Sequence, residues 1–233
     1  IETENALGQE KELEHLAEDI YAHFSQSKSL FIFDNVEHAK EIEDILPKVY
    51  NTKNPTILIT SRYSNWKNIA PTLSLNVFTE EEALAFIKTE LSITHDAEDA
   101  QLKALIKLLQ GLPLALQQMV AYIRQERNIN SQFSIQDYIA MHHQKKQELL
   151  NFGFSEYSND PYAKTVWTTW KVTIDRIKKE SIGDNAINIL QIMSFLRPDY
   201  IENSIFLSLP NREQLTRTIQ LLKNYSMINE GIR

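Results

Sequence analysis

Two short runs constrain this chain most. Leu30-Phe31-Ile32-Phe33 and Thr56-Ile57-Leu58-Ile59-Thr60 are apolar, aromatic or β-branched throughout, and they stop at Asp34-Asn35 and at Ser61-Arg62. Apolar runs without alternation predict strands buried on both faces, as in parallel sheets. Between them Ile42, Ile45 and Leu46 mark a short helix closed by Pro47. Strand, helix, strand in that order predicts a parallel α/β layer in roughly the first 80 residues, with Leu73 to Val77 as a third strand. Upstream, Leu13, Leu16, Ile20 and Phe24 form the apolar stripe of an amphipathic helix within residues 6–24.

The periodicity changes after residue 79. Thr79 precedes Glu80-Glu81-Glu82 and then Ala83, Leu84, Phe86 and Ile87, an N-cap with acids in the first helical turn. Helical stripes continue through Leu102, Leu105, Ile106 and Leu109, through Leu114 to Ile123, and from Ile135 and Ile139 to Leu150. Gly111-Leu112-Pro113 predicts a C-cap glycine followed by a proline that opens the next helix. Residues 151–161 are polar and turn-rich and read as a linker. Helices are then expected over 162–179, over 184–196 (ended by Pro198) and over 211–225, with a strand at Met227-Ile228-Asn229. Trp167 and Trp170 read as core aromatics of the first of these.

Composition excludes several chemistries. The chain has 5 glycines, and the nearest two are Gly153 and Gly183. A phosphate-cradling loop needs clustered glycines so that backbone N–H groups can approach the ligand, so this sequence holds neither a P-loop nor a dinucleotide fingerprint. With 0 cysteines it has no disulfide, no thiolate metal site and no thiol nucleophile. The net charge of −7 disfavours bulk attraction to nucleic acid or an anionic membrane, and no apolar run is long enough to span a bilayer. Ile1-Glu2-Thr3-Glu4 is acidic and carries no initiator Met, so the chain is expected to be a piece of a longer protein.

Three features bear chemistry. Asp34 ends a buried strand, where α/β folds bind ligands and where P-loop NTPases hold Mg²⁺; such an Asp also simply starts turns or caps helices. Arg62 follows the second strand, and its planar fork matches phosphate oxygens; a surface loop Arg is the plainer reading. Gly111 to Leu116 reads as helix punctuation before a core helix. Elsewhere, His142-His143 are adjacent and on a helix point about 100° apart, which disfavours a shared metal. Lys145, Lys146, Arg124 and Arg127 read as a solvated helix face.

In this order the three features resemble the NB-ARC branch of the STAND NTPases, which includes apoptotic protease-activating factors, plant disease-resistance proteins and bacterial regulatory ATPases. The matching stretches are SLFIFDNVE at 29–37 as Walker B, TILITSR at 56–62 as the sensor-1 strand and LQGLPLAL at 109–116 as the helical-domain motif. The C-terminal LQIMSFLRPDYI and LLKNYSMI are similar to the winged-helix segment.

The resemblance implies a mostly α, mixed fold: a partial parallel α/β nucleotide-binding domain (1–79), a helical domain (80–155) and a truncated winged-helix domain (156–233). It implies that Asp34 helps hold Mg²⁺, that Arg62 meets the γ-phosphate, and that Pro113 packs near the adenine with Leu114 beside it. Asn35 stands where relatives often carry Asp, and Glu37 is either a substitute acid or a helix N-terminal Glu. The Walker A loop belongs upstream of Ile1, so this segment by itself is expected to bind ATP poorly. The intact protein is then a cytoplasmic ATP/ADP switch with weak ATPase activity that self-associates and answers a protein ligand through a sensor domain. The alternatives are a scaffold whose site has decayed and the ATPase portion of a transcriptional regulator. Neither a membrane nor direct nucleic-acid contact by this segment is implied.

Overall fold

The computed structural model describes residues 12–25, 27–47, 55–62, 66, 69–151, 161–197, 201–206 and 212–229. These residues are mostly helical, with a small parallel sheet. The chain divides into two compact units, Ile1–Leu75 and Asn76–Arg233.

In the first unit, helix α1 (Leu13–Phe24) precedes strand β1 (Leu30–Phe33), two 3₁₀ turns (Ala39–Glu41 and Glu43–Ile45) and strand β2 (Thr56–Ile59). The strands pair in parallel, Leu30 opposite Thr56 and Phe33 opposite Ile59. Side chains alternate across a strand, so Phe31, Phe33, Ile57 and Ile59 share one half-buried face. Phe31 meets Tyr21 and Phe24 of α1 edge to face, with ring centroids 5.3 and 5.6 Å apart. The Tyr21 hydroxyl donates to the Ile45 carbonyl at 2.9 Å. Val36, Ile42, Leu46 and Trp66 form the buried cluster beside this face.

Three expectations for this unit are corrected. The strands are not buried on both faces: Leu30, Ile32 and Leu58 are exposed on the other side, Ile32 to 59%. An unbroken apolar run reports that each face is apolar, and cannot report whether anything covers it. The segment around Ile42 and Ile45 is a pair of 3₁₀ turns rather than a short α-helix, although Ile42 and Leu46 are buried. Leu73 to Val77 is not a strand; it pairs with neither β1 nor β2, and Leu75 is 91% exposed.

The second unit contains α2 (Glu80–Leu91), α3 (Asp99–Leu108), α4 (Pro113–Ile129), α5 (Ile135–Asn151), α6 (Pro161–Ile177), α7 (Gly183–Met193) and α8 (Arg212–Asn224). Local chemistry starts α2: the Thr79 hydroxyl accepts from the Glu82 N–H while Glu82 accepts from the Thr79 N–H, a reciprocal cap. The Thr79 N–H, and with it the Thr79 hydroxyl donating at 3.0 Å, hold the Glu82 carboxyl below its ordinary range. Helix α4 is the centre. Residues 118–123 are buried on every side, which a helix tolerates only when neighbours enclose it. It packs against α2, α5 and α6, and one continuous core runs from Ala83 in α2 to Leu222 in α8 and Tyr225 beyond it.

Helix α6 reverses the expectation for its tryptophans. Trp167 is 50% exposed and Trp170 is also exposed, while Thr165, Thr168, Thr169, Val172 and Thr173 are buried. The threonines bury cheaply because Thr168, Thr169 and Thr173 each donate their hydroxyl to the carbonyl one turn back. The expected terminal strand is corrected too. Met227 N–H returns to Leu222 O at 2.9 Å and Ser226 N–H to Lys223 O at 2.9 Å, so these residues close α8 instead of extending. The expected linker at 151–161 falls, over 152–160, outside the described residues, as does Pro198. Among the described residues no helix is long and apolar enough to cross a membrane.

Candidate functional site

Parallel pairing brings the C-terminal ends of β1 and β2 side by side, so the residues that follow each strand meet. The backbone ladder continues past the strands: Thr60 N–H donates to Phe33 O at 2.9 Å, and Val36 N–H donates to Thr60 O at 3.0 Å. Side chains add further links. The Thr60 hydroxyl donates to Asp34 Oδ1 at 2.5 Å. The Ser61 hydroxyl donates to Val36 O at 2.5 Å. Arg62 Nη2 donates to Glu37 Oε1 at 3.0 Å. Val36, between these residues, is buried and anchors the turn to the apolar cluster.

Asn35 lies at the crest of the turn in the left-handed region, with φ 55°. Asn is among the few residues that accept this conformation without a large penalty. Its N–H donates to the Thr60 hydroxyl oxygen at 2.8 Å. Asp34, Asn35, Glu37 and Arg62 are therefore together at one end of the sheet, and all four are exposed.

The donor set suits a magnesium ion held with phosphate. One Asp34 oxygen takes the Thr60 hydroxyl, and the other has no hydrogen-bond partner among the described residues. Mg²⁺ commonly uses one or two carboxylates and completes its shell with water and phosphate oxygens. A cage made wholly of protein ligands is a different arrangement; among the described residues no group of three or more His, Asp or Glu side chains is disposed to hold a metal. Glu37 is engaged by Arg62 rather than standing free as an acid, and Asn35 is neutral.

Pro113 and Leu114 belong to the second unit. Helix α3 ends in a turn in which Gly111 N–H returns to Ile106 O at 3.1 Å and Gln110 N–H to Lys107 O at 3.3 Å. Gln110, at φ 57°, takes the left-handed cap position that was expected of Gly111. Gly111 follows, also left-handed at φ 64°, and a Cβ there would lie 2.5 Å from the Phe78 carbonyl oxygen. Only glycine fits this approach, because Phe78 N–H donates to Gly111 O at 3.0 Å and draws the two segments together. Leu112 is then the N-cap of α4 and Pro113 its first residue. Pro113 and Leu114 are both exposed, Leu114 to 45%, and so present an apolar step at the start of a helix that is otherwise deeply buried.

The other polar features are internal. His142 is buried and His143 exposed, so the adjacent pair faces different surroundings. Burial, with the charges of His143 and Lys146 as lesser causes, lowers the His142 pKa to about 4. Arg124 pairs with Glu90, Arg127 with Glu98, and Lys145 with Glu148 and Asp175. Acids thus neutralise three of the four cations considered as a basic face.

Sequence reasoning passed over Thr60 and Ser61. The signal was available: in parallel strands the residues after one strand face those after its neighbour, and Thr60 and Ser61 set two hydroxyls opposite the turn that begins at Asp34. No protein-family model and no curated protein matches this chain.

Proposed function

We propose that this chain belongs to an NB-ARC-type STAND NTPase and works as an adenine-nucleotide switch. One observation carries the reading: the turn from Asp34 to Glu37 and the segment Thr60-Ser61-Arg62 are cross-bonded at the C-terminal ends of neighbouring parallel strands, the place where α/β sheets bind their ligands. In this reading residues 1–79 belong to the nucleotide-binding domain, 80–155 to the helical domain and 156–233 to a winged-helix domain. Asp34 holds Mg²⁺ through its free oxygen. Arg62 meets the terminal phosphate as a planar donor. Pro113 and Leu114 offer their exposed apolar surface to the base.

The chemistry favours switching over turnover. Magnesium supplies charge neutralisation at the phosphates when bound. In the 34–37 turn the only acid besides Asp34 is Glu37, and it pairs with Arg62, so activation of water is weak. A nucleotide biases a conformational equilibrium by its differential affinity for the two states, without any need for rapid hydrolysis. ADP favours the closed state, and exchange for ATP permits self-association in the cytoplasm in response to a protein ligand.

The same pairing favours a second reading, a scaffold that has lost nucleotide. Titrating the natural protein with fluorescent ADP and ATP analogues, with and without Mg²⁺, separates the two. The switch reading expects micromolar or tighter binding that Mg²⁺ strengthens. Asp34→Asn should remove the Mg²⁺ effect, and Arg62→Ala should weaken the ATP analogue more than the ADP analogue. Absence of binding by the wild type would leave only the scaffold.

A further inference from the structure

We infer that Thr60 is the positioning residue of this site, fixing which oxygen of Asp34 is offered to the cation; the inference rests on the magnesium-nucleotide reading above. Thr60 is held from both sides by its own backbone, its N–H on Phe33 O and its carbonyl under Val36 N–H. Its hydroxyl therefore has a position set by the sheet and not by the loop. That hydroxyl has one hydrogen, and it goes to Asp34 Oδ1. The hydroxyl oxygen in turn accepts from the Asn35 N–H at 2.8 Å. Its one hydrogen and one of its two lone pairs are used on consecutive residues of the opposite turn, so the hydrogen cannot turn towards water without breaking the Asp34 bond.

Two consequences follow for Asp34. Its carboxylate is exposed, and an exposed Asp ordinarily samples several rotamers. The Thr60 bond selects one and occupies one oxygen, leaving the second as a single-point ligand. Outer groups that orient a ligating carboxylate typically contribute tenfold to a hundredfold in metal affinity. The same hydroxyl also satisfies the N–H of Asn35, whose left-handed backbone turns the chain away from β1 directly after Asp34.

The test compares Thr60→Val, which keeps the shape and removes the hydroxyl, with Thr60→Ser, which keeps the hydroxyl. In the natural protein, the Mg²⁺ concentration that half-saturates the strengthening of nucleotide binding should rise about tenfold or more in Thr60→Val. Thr60→Ser should restore it to within a fewfold of wild type. Nucleotide affinity in EDTA should be the same in all three, a result that a merely structural defect would not give. In an Asp34→Asn background, Thr60→Val should change nothing further, because the hydroxyl acts through that carboxylate. If Thr60→Val and wild type share one Mg²⁺ midpoint while the wild type clearly responds to Mg²⁺, the positioning role is overturned and the nucleotide reading stands. A wild type that binds nucleotide without any Mg²⁺ response overturns Thr60 and the metal role of Asp34 together. If Thr60→Val does not fold, a Mg²⁺ midpoint for Thr60→Ser raised about tenfold or more overturns the role, and one within a fewfold of wild type supports it.

Discussion

Arg62 and Glu37 face each other across the ends of β1 and β2, Nη2 to Oε1 at 3.0 Å, so this cation of the site is already paired with an acid of the opposite turn. An anion that reaches Arg62 meets the competing charge of that carboxylate. Exposed pairs of this kind contribute under about 1 kcal/mol. Glu37→Gln should therefore leave the melting temperature almost unchanged and strengthen binding of an ATP analogue a fewfold, more at low salt than at high. Weaker binding in Glu37→Gln would mean that Glu37 serves the ligand directly.

Pro113 separates a folding role from a binding role. It opens α4, where a fixed φ and a missing N–H cost nothing, and its ring is exposed. Pro113→Ala should keep the melting temperature within a few degrees, since Ala is the best helix former. Nucleotide retained through purification should fall, because an apolar contact is lost. Lower stability with unchanged nucleotide content would reduce Pro113 to helix punctuation.

The helix ends hold avoidable strain. Ser92 and Ser226 adopt left-handed conformations at φ 55° and 52° in the caps of α2 and α8. That conformation costs a non-glycine residue about 1–2 kcal/mol, part of which glycine gives back in chain entropy. Ser92→Gly and Ser226→Gly should each stabilise by up to about 1 kcal/mol, a rise of roughly 2–4 °C in melting temperature. Gly111→Ala should do the reverse, since its Cβ would press on the Phe78 carbonyl.

His142 makes stability depend on pH. Neither ring nitrogen has a hydrogen-bond partner among the described residues, and burial holds its pKa at about 4 against an ordinary value of 6.5. The unfolded chain therefore takes up this proton first as pH falls. The contribution is fully present above about pH 6.5 and is lost as pH falls towards 4, to a limit of about 3 kcal/mol. Denaturant melts of wild type and His142→Leu at pH 7.5 and 4.5 should show the wild type losing more stability. Equal losses would place the proton uptake elsewhere.

How much of this was legible in the residues differs by element. The parallel pair, the Thr79 start of α2 and the proline that opens α4 could be read directly, because strand apolarity and cap chemistry act within a few positions. The meeting of Asp34 with the Arg62 segment followed from two strands ending in polar residues. Thr60 was legible in principle and was missed, because a threonine at a strand end looks like ordinary β-branched filling. The caps at Gln110 and Ser226 were not legible, since neither residue favours the left-handed conformation it adopts; the surrounding contacts impose it.

The sequence by itself determined where most of the helices and the two paired strands lie, which strand ends carry Asp34 and Arg62, and which phosphate-binding loops are missing from its glycines. Tertiary structure alone decided which faces are covered. It left Leu30, Ile32 and Leu58 on an open side of the sheet, turned Trp167 and Trp170 outward, and buried the α6 threonines and His142. It also gave Glu37 to Arg62 and Thr60 to Asp34. The physical reason is range. Periodicity and capping are set by neighbours a turn away, whereas burial and pairing depend on which distant segment supplies the other surface, and side-chain identity alone does not encode that partner.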